Sequence, residues 1–311
     1  MAQGTYTHQP VLLDEVLEGL ALKRDGVYVD GTFGRGGHAA AILAGLGPAG
    51  RLLAMDKDPE AVQSARMQFG NDPRFEIVQG AFTMLSELVA RRELTGKVNG
   101  LLLDLGVSSP QLDDAARGFS FSDDGPLDMR MDPTTGVSAA QWLAQAGEHE
   151  IATVLRTLGE ERFAGRITRA IVNSRTTAPL RTTRQLAERR SRGAHARAAQ
   201  ASRHAQLLAL RLHINHELDD LRAVLAQVSD VLAPGGRLAV IGFHSLEDRI
   251  VKRFIRDEYR GAPPPRAFPL AGSEHTPRLR PVGKAIRAGA DEVQRNPRAR
   301  SAVLRIAERV Q

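Results

Sequence analysis

The chain contains no cysteine. Disulfides, thiolate metal sites and thiol nucleophiles are therefore excluded. Long apolar runs are missing as well: nothing approaches the ~18 to 20 residues of a membrane span. The opening M-A-Q-G-T-Y-T-H-Q-P lacks the charged and apolar regions of a signal peptide. A cytoplasmic protein with no membrane partner is the expectation. Aromatic residues are scarce, at 5% with a single Trp. The 311 residues are nonetheless 42% hydrophobic, enough for one large or two ordinary domains around a substantial core. Positive charge is plentiful and uneven. Within a formal net charge of +6, the segment from Arg181 to Arg211 carries eight arginines against one acid, Glu188. Such a block suits a polyanion, although solvated basic helices look the same.

The chain is organised around Val27 to His38, V-Y-V-D-G-T-F-G-R-G-G-H. A short β-branched and aromatic run ends in Asp30 and breaks into glycines at 31, 34, 36 and 37, which reads as a buried strand, a tight turn and a helix start. Backbone N–H groups can approach a ligand there without Cβ interference. The spacing fits neither G-x-G-x-x-G nor a P-loop, so phosphate binding is not implied. A second strand from Arg51 ends in Asp56, placed to accept hydrogen bonds from a ribose diol. The competing N-cap role falls more naturally to Asp58, which Pro59 and Glu60 follow. Strand three runs from Arg74 to Gln79, with Phe82 beyond it either stacking on an adenine edge or belonging to the core. Strand four, Asn99 to Asp104, is apolar throughout, as a central parallel strand should be. Acids thus close strands one, two and four, at the end where open α/β sheets bind ligands.

A long loop-like run follows from Gly106 to Pro133, too rich in aromatic and charged residues for a plain connection. From Ser138 the pattern turns helical, and Arg162, Arg166 and Arg169 lie beside an apolar stripe at i, i+4, i+7. Thr182 with Gln185 predicts a capping box. A long amphipathic helix is expected from His213 to Pro234. His213, His216 and Glu217 lack the H-E-x-x-H spacing of metal ligands, so no metal is expected. Strand five spans Arg237 to Phe243, Ser245 with Asp248 can cap the next helix, and Pro281–Ile286 with Ser301–Glu308 forms a terminal hairpin bending at Asn296. Five strand–helix units closed by an antiparallel hairpin suit the methyltransferase form of the doubly wound sheet. Its cofactor, S-adenosylmethionine, lacks a pyrophosphate and so does not demand the dinucleotide fingerprint.

Six motifs carry a closer likeness: D-G-T-F-G-R-G-G-H from Asp30, L-L-D-L-G-V-S-S-P-Q-L-D from Leu102, G-F-S-F from Gly118, G-P-L-D-M-R-M-D from Gly125, F-H-S-L-E-D-R-I-V-K from Phe243 and N-P-R-A-R-S from Asn296. Together they closely resemble the ribosomal RNA small-subunit methyltransferase H family over almost the whole chain. The resemblance implies methylation of the exocyclic N4 of a decoding-centre cytidine in 16S rRNA, with S-adenosylmethionine as donor. It implies Gly36, Gly37, His38, Asp56, Phe82, Asp104 and Gln111 as cofactor contacts. It implies a class I methyltransferase (Rossmann-like) domain from 1–112 and 212–311, with an inserted α-helical substrate domain at 113–211. The partner implied is 16S rRNA within a small ribosomal subunit or its precursor, and a homodimer is compatible with the sequence. One segment departs: where the family reads roughly H-P-A-T-R-x-F-Q-A-L-R, this chain has A-S-R-H-A-Q-L-L-A-L-R after an arginine- and alanine-rich run from Arg189. Intact flanks around residues 189–208 are what a local pair of compensating frameshifts would leave.

The chemistry can be bounded without the likeness. Cytosine C5 methylation by the usual route needs a cysteine nucleophile, so direct attack by nitrogen or oxygen is favoured. An exocyclic amine is a weak nucleophile that a hydrogen-bond acceptor helps to orient. Asp104, or Ser108 and Ser109 before Pro110, are the candidate catalytic residues. Phe119 or Phe121 could stack on an unpaired base, and Arg162, Arg166, Arg169 and His244 are further candidate RNA contacts. Competing readings are a DNA amino methyltransferase, a non-catalytic RNA-binding protein on a degenerate cofactor fold, and an NAD-dependent oxidoreductase.

Overall fold

The computed structural model describes residues 10–120, 122–175, 177–188, 196–261 and 275–310. The chain forms two compact units, Met1–Gly106 with Asp219–Gln311, and Val107–Leu218. These boundaries lie outside the 112/113 and 211/212 divisions expected from the sequence.

The first unit is built on strands β1 (Val27–Asp30), β2 (Arg51–Asp56), β3 (Phe75–Gln79), β4 (Val98–Asp104), β5 (Leu232–Gly242), β6 (Leu279–Pro281), β7 (Ile286–Arg287) and β8 (Val303–Arg309). They form one sheet in the order β3-β2-β1-β4-β5-β8-β6, with β7 also paired to β8. β1 to β5 are mutually parallel, whereas β8 runs antiparallel to β5, β6 and β7. The antiparallel closure is present, but the expected bend at Asn296 is a short helix, Ala290–Arg295, followed by a 3-10 turn, Pro297–Ser301.

Strand side chains alternate between two apolar layers. Val29, Leu53, Met55, Leu101, Leu103, Leu238 and Val240 pack on one face, and Tyr28, Leu52, Ala54, Leu102, Ala239 and Ile241 on the other. Both faces are covered, which is why these strands read as nearly continuous apolar runs. Helices α1 (Leu13–Leu20), α2 (Gly37–Gly45) and α3 (Pro59–Phe69) supply the second layer through Val16, Leu20, Ile42, Leu43 and Ala65. α4 (Leu85–Ala90) supplies the first through Leu85, Leu88 and Val89. The sheet is doubly wound, with its topological switch between β1 and β4, where ligands of such sheets bind.

The second unit is helical: α5 (Ser109–Asp113), α6 (Ala139–Gln145), α7 (Glu148–Thr157), α8 (Ala164–Ser174), α9 (Thr183–Glu188) and α10 (Ala196–Ile214). Its core joins Leu143, Ile151, Leu155, Ile167, Leu186 and Leu210 to Phe119, Leu127 and Met129 of the long connection. Ser138 caps α6, and the Thr182–Gln185 capping box forms as expected. The single helix expected from His213 to Pro234 does not form. The chain breaks at Asn215 and at His216, which has φ 54°, then continues as α11 (Glu217–Leu225) and α12 (Val228–Val231). Asn215 causes the break. Its amide donates to the Met129 and Arg211 carbonyls and its Oδ1 accepts from the Met131 amide, so it serves the long connection rather than a continuous helix.

Candidate active site

The glycine turn leaves β1 and is shaped by close approaches. Gly36 has φ 76°, and a Cβ there would lie 2.5 Å from Phe33 Cζ, so only glycine fits. Phe33 is buried against Phe69 and Phe75, which fixes that wall. A Cβ on Gly37 would come within 2.4 Å of Pro10 Cγ, so the N-terminal segment lies directly on the start of α2.

Asp56 ends β2 as expected, and Asp58 takes the cap, accepting from the Glu60 amide at 3.0 Å. The Asp56 carboxylate also braces the turn, since its Oδ2 accepts from Gly34 N at 2.8 Å and its Oδ1 from Asp58 N at 2.9 Å. It therefore ties the glycine turn to β2, while each oxygen keeps a lone pair for a ligand. Burial raises its pKa to about 6 against those two hydrogen bonds. Asp30 is buried, and desolvation raises its pKa to about 7 despite bonds from Thr32. Phe82 begins the turn after β3, half-buried against the core and beside the space a Gly31 Cβ would fill.

Asp104 ends β4. Its Oδ1 is buried with no hydrogen-bond partner, and its Oδ2 lies 3.6 Å from His38 Nδ1, beyond hydrogen-bond reach. Desolvation, with the charges of Asp30 and Glu247 behind it, raises the Asp104 pKa to about 8. His38 Nε2 donates to the Val11 carbonyl at 3.1 Å, which leaves Nδ1 on the side of Asp104. Next to β4, the tip of β5 leads into α13 (Ser245–Arg260). The N-cap of α13 is His244, not Ser245, and its capping-box partner is Glu247; Asp248 instead pairs with Arg305. Glu247 is buried and accepts from the Phe243 and His244 amides through Oε2. His244 Nε2 is buried without a hydrogen-bond partner, its nearest charge being Glu247 Oε1 at 3.1 Å. Sequence reasoning missed Glu247, because His is a rare N-cap and obscured the x-x-E signature that follows Ser or Thr.

Gly36, Gly37, His38, Asp56, Phe82 and Asp104 thus come together at the carboxyl ends of β1, β2 and β4, with His244 at the end of β5. No Lys or Arg among the described residues lies within ion-pair distance of Asp30, Asp56 or Asp104; Lys57 pairs with Asp220. Buried carboxyl groups lacking a cation, beside a glycine cradle, fit a cofactor that brings its own positive charges.

The remaining candidates lie in the second unit. Ser108 caps α5, and Gln111 returns Oε1 to the Ser108 amide at 2.9 Å, closing a capping box. Ser109 and Gln111 are buried. Phe119 is 3% exposed and packs within the helical core, so it offers no face for a base and the stacking expectation is corrected. Phe121 and residues 189–195 lie outside the described residues. Arg162, Arg166 and Arg169 are exposed, but α8 begins at Ala164, so only the last two share a helix. Arg166 covers the Phe163 ring at 5.7 Å. His213 packs on Trp142, with ring centroids 4.4 Å apart.

Among solved structures, an rRNA methylase from Streptococcus thermophilus matches at 12% identity over 99% of this chain and 100% of its own, with a TM-score of 0.44. A Streptococcus mutans protein in complex with SAH matches at 10% identity over 97% and 99%, with a TM-score of 0.45. Both are too distant to bear on function. The sequence matches are far closer. A curated relative, Ribosomal RNA small subunit methyltransferase H of Thioalkalivibrio sulfidiphilus (strain HL-EbGR7), is 55% identical over 311 residues, covering 97% of each chain. Residues 5–310 match the MraW methylase family, and the chain belongs to that family.

Proposed function

We propose that this methylase transfers the methyl group of S-adenosylmethionine to the exocyclic N4 of a decoding-centre cytidine in 16S rRNA, within a small ribosomal subunit or its precursor. One observation carries the reading. Asp104 Oδ1 and His244 Nε2, two of the few buried polar atoms without a partner among the described residues, stand at the tips of adjacent strands β4 and β5. An acceptor and a ring nitrogen without hydrogen-bond partners, on adjacent strand tips, suit a base edge that presents both a donor and an acceptor.

Bound S-adenosylmethionine supplies an electrophilic methyl on a sulfonium. The chain's own residues hold and align. The turn at Gly36 and Gly37, packed on Phe33 and Pro10, would present backbone amides to the amino-acid part, Asp56 would receive the ribose hydroxyls, and Phe82 would border the adenine. Asp104 accepts a hydrogen bond from the N4 amine, turning its lone pair toward the methyl carbon. Asp104, whose pKa is raised to about 8, would take the proton that the amine must lose on being methylated. Ser108 accepts in its cap but can still donate its own hydroxyl proton. The helical unit, with exposed Arg166 and Arg169, serves the RNA.

The proposal is tested by incubating the purified protein with isotopically labelled S-adenosylmethionine and small-subunit particles, then mapping the rRNA by mass. One labelled N4-methylcytidine is expected. Label on another atom, on duplex DNA instead, or on no RNA overturns the proposal.

A further inference from the structure

The motif N-P-R-A-R-S is not used by the site just described, although the fold places it close by. β8 is antiparallel to β5, with Val303 opposite Gly242, so the chain preceding β8 lies at the carboxyl end of the sheet, where Asp30, Asp56 and Asp104 collect. β7 is at the same end, with Ile286 and Arg287 opposite Leu304 and Val303. The whole connection from Lys284 to Arg300 is thereby confined to the ligand side of the first unit.

Its charge is one-sided. Lys284, Arg287, Arg295, Arg298 and Arg300 are all exposed, against two acids, Asp291 and Glu292. Glu292 is turned inward, accepting from Leu12 N at 2.8 Å. Lys284, Arg287, Arg295 and Arg300 have no carboxylate partner among the described residues, and Arg295 Nε donates only to the Asp291 carbonyl at 3.3 Å; exposed Lys23, Arg24 and Arg51 at the opposite end of the sheet are likewise unpaired, so it is the place of the segment at the ligand end that sets it apart. The segment is also rigidly mounted. Asn296 caps the 3-10 turn by accepting from Arg298 N, and Ala299 is fully buried between two exposed arginines. Exposed cations without a carboxylate partner, on the same end of the sheet as a site for a base, suit the charges of a phosphate backbone.

We infer that Lys284, Arg287, Arg295 and Arg300 form a phosphate-binding edge that grips the RNA strand on the sheet unit itself, distinct from the arginines of the helical unit. The inference rests on the proposed RNA substrate. The test compares two triple variants that remove equal charge: R287Q/R295Q/R300Q at the ligand end, and K23Q/R24Q/R51Q at the opposite end of the sheet. Small-subunit particle binding at stepped salt, KM for the particle, and S-adenosylmethionine affinity are measured for both. The ligand-end variant should raise KM about tenfold and lower the salt slope of log affinity by about 2, as for three lost phosphate contacts on a single strand, with cofactor affinity unchanged. The opposite-end variant should change neither. Equal behaviour of the two, or no change in either, overturns the edge. A wild-type protein that binds particles with the expected salt slope but methylates no RNA would overturn the proposed reaction and leave the edge supported.

Discussion

The Glu292 carboxylate accepts a 2.8 Å hydrogen bond from the Leu12 amide, joining positions 280 residues apart. Leu12 is fully buried at φ 54°, a left-handed conformation costly for a branched side chain, and no side chain caps α1 there. Glu292 offsets that cost. The adjacent Val11 carbonyl accepts a hydrogen bond from His38 Nε2, and Pro10 lies on Gly37, so the bond also fixes the cofactor loop. Glu292→Ala should weaken S-adenosylmethionine binding several-fold and lower stability by about 1.5 to 3 kcal/mol, the range for a hydrogen bond to a charged group. Glu292→Gln, which keeps an acceptor, should restore most of both. Calorimetric titration and thermal melts decide it, and an alanine variant with wild-type affinity would remove the loop from Glu292's influence.

The proposed ribose contact of Asp56 and its bracing of the glycine turn are separated by a pair of substitutions. Asp56→Ala removes the proposed ribose acceptor and the anchor of Gly34 and Asp58, so cofactor binding should weaken by roughly 1.5 to 3 kcal/mol, together with a fall in stability. Asp56→Asn keeps one acceptor oxygen and should lose less stability than affinity. Equal losses of both in the two variants would make Asp56 a scaffold residue only.

Much of this site was legible before the structure, for a physical reason. Parallel strands covered on both faces must be apolar along their length, so the polar residues that end them, Asp30, Asp56 and Asp104, mark the ligand end. Long-range partners left no such trace. Glu292 reads as an ordinary acid of a helix first turn, and its use by Leu12 follows from tertiary structure alone. The break at Asn215 was hidden because the apolar spacing at Ile214, Leu218, Leu221 and Leu225 continues across it. Periodicity records which residues face a core, not whether the backbone between them is one helix. Phe119 misled in the opposite direction: an aromatic in a polar loop suggests an exposed platform, yet the loop is folded over its own core.

The acids make a signed prediction about pH. In the folded protein Asp56, Asp30 and Asp104 titrate near 6, 7 and 8, above the unfolded value of about 3.9. The native state therefore holds protons that the unfolded chain has released. The stability this contributes is complete below about pH 4 and is lost as pH rises through the folded values. The melting temperature of the ligand-free protein should fall between about pH 5 and pH 8, and Asp104→Asn should flatten the upper part of that decline. S-adenosylmethionine carries a net positive charge and favours the ionised acids, so its affinity should rise over the same interval. Scanning calorimetry with and without cofactor measures both, and a flat ligand-free profile would contradict the burial of these groups.

In the helical unit, Asn215 is the residue whose loss should cost most for its size. It is 7% exposed, and its amide joins the long connection, at Met129 and Met131, to the end of α10 at Arg211. Asn215→Ala leaves the buried Met129 carbonyl and the Met131 amide without this partner and removes one of the two donors to the Arg211 carbonyl, and should destabilise the protein by about 3 kcal/mol. Asn215→Asp separates hydrogen bonding from size: it keeps the acceptor for Met131 N, loses both donors, and sets a carboxylate against two carbonyls, so it should be no better than alanine. Cofactor affinity, to which Asp56 and the glycine turn of the sheet unit are proposed to contribute, should stay near the wild-type level in both variants while particle methylation falls. If Asn215→Ala instead melts like the wild type, the break after α10 is held by something other than this side chain, and the Arg211–Glu217 pair, with Nε–Oε1 at 2.8 Å, is the next element to test.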